Sequence, residues 1–582
     1  MKKLTTLLTL LLFMGAAQAQ QSGERALWGS INGRSNATAN TYAAYNNYIL
    51  LSWRMLPGDD ENTAFDIYRS ADGGTEMLLT YSGVKGKTCY QDKTANRQKT
   101  NTYRLTPRGQ KNVTLATYTM TADQASQGLP YVEIPLKDTK DVCDRDTIWY
   151  EANDVSVGDL DGDGKTDYRK DDKHYIEAGP EFFSIVDGLT GRELARADYI
   201  ARGTSEEWGD NYFKRASSLR VAVGCFDGVL PSVVLGRGVY AKSVLEAWDY
   251  RDGQLTRRWH FDSEDGGRGK DGKGNNRYGA QGFHSLSVGD VDGDGFDEVV
   301  YGSMTVDHDG QGLYTSEYGH GDALHLGKFD PQREGLQIWS CQEFGKTEAV
   351  LRDARDGSTI WASTAADDND TGRALVADID PDSPGCEVWW YKSTAHSIDG
   401  RDLGYTPTSC NMAIWFGSGL NRQLFNEASV HQQHDNSRIF TISRYDAIRV
   451  NGTKANPSWY GDILGDWREE IIMPDSTRTK NLKVFTTWFP TDHKFYWLMT
   501  DHVYQMSALN QNVGYNMPTQ LGYYLGSDLK SDSEAWANGI DDLVTTSVNH
   551  TTLDSEHYYD LQGRAIKNGQ WLMVNGQWSM VN

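Results

Sequence analysis

The segment Leu286–Gly302, LSVGDVDGDGFDEVVYG, constrains this chain most, because alternate acids pass straight into a run of buried-strand residues. Asp290, Asp292 and Asp294 hold positions one, three and five of a loop, Gly295 permits the sharp turn and Glu298 holds position nine. Ca²⁺ is a hard cation that needs several oxygens at one centre, and this spacing turns alternate carboxylates inward. Asp159, Asp161, Asp163 and Asp167 repeat the pattern in VSVGDLDGDGKTD. Taken alone, either loop ties a fold together and takes no part in chemistry.

The loop is one unit of a loose repeat that runs from about residue 150 to 527. Its copies include SVGDVDGDGFDEVV, LVADIDPDSPGCEVWW and YGDILGDWREEII, and a degenerate copy, LHLGKFDPQREGLQIW, puts Gln337 where the others have an acid. Strand–turn–strand ornaments such as VDGLTGREL and RDARDGSTIW lie between them. Short strands repeated about an axis predict an all-β chain with a β-propeller. Before it, residues 22–135 alternate apolar and polar side chains in YILLSWRML and AFDIYRS, separated by turn signals at Pro57–Asp60 and Asp72–Gly74. That pattern predicts a β-sandwich of the fibronectin type III kind. The tail, residues 528–582, reads as a linker or short helix and then two or three short strands around Gly turns, either a sorting module or a capping hairpin.

The first 19 residues have the form of an export signal: Lys2 and Lys3, an apolar core at Leu4–Met14, then Ala17-Gln18-Ala19. That core is too short to span a bilayer, and no later stretch is long enough. The expected address is periplasmic, secreted or cell-surface in a Gram-negative bacterium. With 57 basic against 80 acidic residues the chain carries a net charge of −23, which argues against nucleic acid and anionic membranes. A polyanionic substrate would need local Lys, Arg or bound cations. Six scattered cysteines show no CxxC spacing, which argues against zinc and leaves disulfide pairing open. The 18 Trp and 31 Tyr suit carbohydrate contact, although packing accounts for most aromatics in a β protein.

Three segments carry chemistry. In YGHGDALHLGKFDP, His320, Asp322 and His325 fall within six residues, and His320 and Asp322 would share one face of an extended strand. Such a cluster holds a cation or steers an anionic sugar; the bland reading is a hydrogen-bonded loop. NGTKANP, Asn451–Pro457, has turn chemistry and presents Lys454. QNVGYN, Gln511–Asn516, offers amides and a phenol to sugar hydroxyls, or is an edge strand. TDHKFYWLMTD reads as an alternating strand, with His493 structural.

Together with GPEFFSIVDGLTGREL, HSLSVGDVDGDGFDEVVYGSMTVDHDGQGLY, GHGDALHLGKFDP, LGDWREEII and QNVGYNMPTQLGYYLG, these segments resemble the rhamnogalacturonan lyases of polysaccharide lyase family 11 over about residues 40–527. The resemblance implies an eight-bladed propeller behind the fibronectin-like module, several Ca²⁺ ions, and β-elimination in the rhamnose–galacturonate backbone of pectin. It places substrate contacts on Asn153, Asn451, Gly452, Thr453 and Tyr515, and sets His320, Asp322, His325 and Glu343 among metal and active-site positions. Rhamnogalacturonan I or its oligosaccharides would be the partner of a monomeric enzyme. Lys454 is the first candidate for the base, with Tyr515 and His325 as alternatives.

Two departures stand out. A stretch that family members carry after the first DLDGDG is missing, on the order of one to two blades of the repeat. Cys341-Gln342-Glu343 also lacks the His that the family places before the Glu. The deletion motivates a second reading, a catalytically inactive, Ca²⁺-stabilised pectin-binding propeller. A third, an adhesion propeller with a protein partner, fits the lyase-like segments less well.

Overall fold

The computed structural model describes residues 25–33, 46–56, 58–135, 140–143, 146–149, 181–186, 192–204, 206–209, 219–228, 230–368, 370–433, 436–476, 481–514, 516–529, 531–532, 571–574 and 577–580. Nearly all regular structure among them is β. The first part holds two antiparallel sheets. One orders Leu27–Ser30, Ile49–Trp53 and Cys89–Asp92; the other orders Met77–Leu78, Phe65–Ala71, Asn101–Pro107 and Ala116–Met120. Both face one core that contains Leu51, Trp53, Phe65, Ile67, Tyr103 and Leu105. Thr121 caps the short helix Ala122–Gln127 that follows by accepting the Gln124 N–H. Gly128 ends it in the left-handed region, where a side chain would strike the Gly33 backbone.

After the hairpin Lys140–Cys143 with Asp146–Trp149, seven sheets follow in order among the described residues before the tail. The first is the hairpin Phe182–Val186 and Glu193–Asp198, and the second comprises Leu219–Gly224, Ser232–Arg237, Val244–Arg251 and Gln254–Asp262. The third runs through Ser287–Gly289, Glu298–Tyr301, Met304–Val306 and Gly312–Thr315, and the fourth through Gly321–Gly327, Gln337–Gln342, Thr347–Asp353 and Thr359–Thr364. The fifth is the pair Ala374–Ala377 and Glu387–Trp390; the sixth spans Met412–Ile414 to Arg438–Thr441. In the second to fifth sheets the opening strand packs on the opening strand of the next. These strands, such as Gly321–Gly327 and Ala374–Ala377, are buried along their length, so they lack period-two alternation. The helix His502–Leu509 lies across the opening strands of the second, third and fourth sheets.

The seventh sheet is completed from the other end of the chain. Trp459–Gly461, Glu470–Pro474 and Asn481–Phe485 are joined by Tyr131–Pro135, with Val132 opposite Val484. That strand falls inside the span read from sequence as the N-terminal module, so the module's own sheets end before it. The pairing removes an open edge from the last sheet.

Thr491–Asp501, expected as an alternating strand, forms no ladder. Lys494–Trp497 is buried without alternation, and its polar groups bond across elements: Lys494 Nζ to the Asp60 and Glu61 carbonyls, and the Trp497 indole to the Asp462 carbonyl. Cys89, Cys225, Cys341, Cys386 and Cys410 are free thiols. The tail shows one hairpin, Trp571–Val574 with Gln577–Met580.

Candidate functional site

The fourth sheet's opening strand begins just after His320, and the turn leaving its second strand carries Glu343. The Glu343 N–H donates to the His320 carbonyl at 3.1 Å, which fixes the two side chains together. His320 Nδ1 meets the Gly282 carbonyl at 2.5 Å. A carbonyl accepts only, so Nδ1 carries a proton. The buried Nε2 faces Glu343 Oε2 at 2.8 Å, an ion pair when the ring holds a second proton. In the neutral ring both atoms would offer lone pairs to one cation, and a second nitrogen tied to a carbonyl is the usual setting of a metal-bound histidine. His284 adds an imidazole: the ligand atoms of His284, His320 and Glu343 all lie within 4.8 Å of one another, and Asp322 lies 3.8 Å from His284 Nε2. The Tyr240 hydroxyl donates to Glu343 Oε2 at 2.9 Å and lies 3.1 Å from His284 Nε2. The donor set fits a divalent cation bound by two imidazoles and carboxylates.

The loop Asn451–Ala455 forms another wall. It is a single 3₁₀ turn, Gly452–Lys454, flanked by Asn451 and Ala455 in the left-handed region at φ 58°. Arg373 braces it from the fifth sheet by donating to the Thr453 carbonyl at 3.1 Å and to Asn411 Oδ1 at 2.9 Å. Asn411 in turn donates to the Ala455 carbonyl at 3.2 Å and accepts from Asn516. Burial holds the Lys454 amine below its ordinary pKa; Asp322 and Asp370 oppose that shift and Arg373 adds to it. Asp370 is pushed up, by burial first and then by Glu343, which places it beside the same group. Next to Asp370, an open depression of about 450 Å³ is lined by Thr371, Trp390, Tyr391, Lys392 and His396 among others.

The loop Asp290–Glu298 has the geometry its sequence predicts. Asp290 accepts the Gly293 and Gly295 N–H groups, and Glu298 Oε2 accepts that of Val291. Ligand atoms of Asp290, Asp292 and Asp294 converge, as do those of Asp294, Glu298 and His308. Glu298 Oε1 is buried without a hydrogen-bond partner, and Asp307 Oδ1 faces His308 Nδ1 at 2.6 Å. Burial, with Asp292, Asp290 and Asp297 behind it, pushes the Glu298 carboxyl up to about 10. The orphaned oxygen and crowded acids fit a bound cation.

Of the residues singled out from sequence, His320, Asp322, Glu343 and the Asn451–Lys454 loop come together. His325 does not join them. Its Nε2 is tied to the Ala374 carbonyl at 2.9 Å, and full burial pulls its pKa down to about 4. A register shift between Gly321 and Leu324 interrupts the strand, and His325 faces a packed interior rather than the cleft. Asn153, Asp159, Asp161, Asp163, Asp167 and Tyr515 lie outside the described residues. Tyr515's neighbour Gly514 packs so closely on His284 and Ser285 that a side chain there would meet the His284 carbonyl.

His284, Tyr240, Asp370 and Arg373 are the residues that sequence reading missed. His284 supplies the imidazole that the absence of His at position 342 had seemed to remove. Its one signal is its place three residues before SVGD, at the end of a loop entering the third sheet.

A family model described as "Rhamnogalacturonan lyase family 11, C-terminal domain" matches residues 165–535, and "Rhamnogalacturonan I lyases beta-sheet domain" matches residues 39–120. The chain is 38% identical over 381 residues to "Rhamnogalacturonan endolyase YesW" of Bacillus subtilis (strain 168), covering 64% of this chain and 59% of that protein. It is 37% identical over 401 residues to "Rhamnogalacturonan exolyase YesX" of the same organism, covering 64% and 63%. The matches thus span about three fifths of each curated relative. Among solved structures, a Bacillus licheniformis rhamnogalacturonan lyase superposes with a TM-score of 0.73 at 32% identity, covering 88% of this chain and 97% of that one. The YesW crystal structure superposes with a TM-score of 0.72 at 30% identity and the same coverage.

Proposed function

The chain belongs to rhamnogalacturonan lyase family 11, and from that membership we propose that it cleaves the rhamnose–galacturonate backbone of rhamnogalacturonan I by β-elimination. The observation that carries this reading is the desolvated amine of Lys454 beside the His284–His320–Asp322–Glu343 group. The seven successive sheets act as propeller blades, with the cleft on the face where these loops gather. The expected setting is outside the cytoplasm, after removal of residues 1–19.

Galacturonate C5–H is weakly acidic while the adjacent C6 carboxylate is charged. A divalent cation, Ca²⁺ on this reading, held by His284, His320, Asp322 and Glu343, would neutralise that carboxylate and stabilise charge developing toward it. Lys454 in its neutral form takes the C5 proton, and burial favours that form. The electron pair of the C5–H bond becomes the C4–C5 double bond as the O4 bond to rhamnose breaks. A proton goes to the departing O4, and the product ends in a 4,5-unsaturated galacturonate. Arg373 fixes the Asn451–Thr453 backbone, so the loop that holds the sugar also sets where the base stands.

Replacing Lys454 tests the assignment. Lys454→Ala should lose about 10²–10⁴ in turnover while retaining polysaccharide binding. Near-full turnover would remove Lys454 as the base. Loss of binding together with turnover would make it a substrate contact instead.

A further inference from the structure

Three segments remote in sequence meet on the flank of the Asp290–Glu298 loop. Cys225 follows the strand Leu219–Gly224, Asp297 precedes the strand Glu298–Tyr301, and His502 opens the helix His502–Leu509. Their ligand atoms lie within 4.8 Å of one another. Asp297 is 1% exposed; Oδ2 accepts the Cys225 N–H at 2.6 Å, and Oδ1 meets His502 Nε2 at 2.7 Å. The Asp297 N–H donates to the Cys225 carbonyl at 3.3 Å, so the two turns clasp each other through the backbone. On the third side, Asp501 caps the helix by accepting the Val503 and Tyr504 N–H groups, which fixes the turn carrying His502.

The donors are a thiol, an imidazole and one carboxylate. That set suits a borderline cation of the zinc class; Ca²⁺ takes an oxygen shell. Three protein ligands leave one position for water, and the partial exposure of Cys225 and His502 gives access. The same three residues could be read as a nucleophile with its base. Against that, burial first, and then the carboxylates of Asp297 and Asp227, disfavour a free thiolate. A bound cation reverses that repulsion.

We propose that Cys225, Asp297 and His502 form a site for a zinc-class divalent cation, separate from the cleft, which staples the second sheet, the Asp290–Glu298 loop and the helix together. Metal-motif spacing could not reveal it, since the contacts join residues 72 and 205 positions apart.

Co²⁺ is the probe, added to intact protein saturated with Ca²⁺. One equivalent should bind with a thiolate-to-cobalt charge-transfer band that Zn²⁺ abolishes. The band should vanish in Cys225→Ser and weaken in His502→Ala, with near-UV circular dichroism confirming that each variant is folded. Zn²⁺ should raise the melting temperature of the unaltered protein and leave that of Cys225→Ser unchanged. Cobalt binding without the band, or the same band in Cys225→Ser, would overturn the proposal.

Discussion

At Gln337 and Gln423 a side-chain amide completes its loop without help. Gln337 Oε1 accepts the Phe329 and Asp330 N–H groups, and its Nε2 donates to the Gly335 carbonyl at 2.8 Å. Gln423 does the same with Phe416, Gly417 and the Asn421 carbonyl. Glu470 stands in the same place, with Oε2 accepting from Ile463 and Leu464, but its Oε1 is orphaned, like that of Glu298. An ionised carboxylate has no proton to give, so the Glu loops need either a cation or a proton taken up at their raised pKa, where the Gln loops need neither. Glu298→Gln should therefore keep the fold and weaken Ca²⁺ binding at that loop roughly 10–100-fold, as read by calorimetric titration; unchanged affinity would remove Glu298 from the ligand set. The pH dependence has a definite sign. The Glu298 carboxyl is raised to about 10 in the cation-free fold, against ~4.3 unfolded. Its contribution to stability is full below the unfolded value and is lost as pH rises toward and through the folded one. In chelator the melting temperature should fall as pH climbs above about 4.5; excess Ca²⁺ should flatten the slope, and a flat profile in chelator would contradict this account.

Among elements, the loops that make the cleft come from different sheets and are locked by side chains. Arg373 and Asn411 join the fifth and sixth sheets to the Asn451–Ala455 turn. Arg373→Ala should raise KM for the polysaccharide more than it lowers kcat, because it removes the brace of the sugar-holding loop; an unchanged KM would show that the loop holds its shape alone. The sequence made part of this legible. The calcium loop, the HGDALH segment and the NGTK turn were visible because local spacing of charged or turn-forming residues dictates local geometry. His284 and Tyr240 were not, because tertiary packing joins Tyr240 to His284 over 44 positions and to Glu343 over 103. His325 misled for the opposite reason: proximity in sequence suggested one cluster, and a shift in strand register broke it. The strand expected at Thr491–Asp501 failed because the segment is buried without alternation and its polar groups bond across elements rather than in a sheet.

On the scale of the molecule, the N-terminal module is locked to the seventh sheet. Arg54 donates to the Leu464 and Ile463 carbonyls at 3.1 and 3.0 Å and stacks over Trp497 at 4.0 Å. The buried Arg468 reaches back to Ser52 at 3.2 Å. Arg54→Ala should cost about 2–4 kcal/mol in denaturant unfolding, from two charge-assisted bonds and one cation–π contact. A loss below ~0.5 kcal/mol would mean that the interface does not depend on it. The strand Tyr131–Pro135 adds a second lock, since the chain entering the series of sheets also completes the seventh. Loops from several sheets gather at one cleft, and the proposed function is that this cleft performs a cation-assisted elimination. The most direct test follows the absorbance of unsaturated uronate as purified protein acts on rhamnogalacturonan I, with Ca²⁺ and then with chelator. The account predicts steady growth with Ca²⁺ and its arrest by chelator. A flat trace from folded protein that still binds the polysaccharide would contradict it and leave a binding propeller without catalysis.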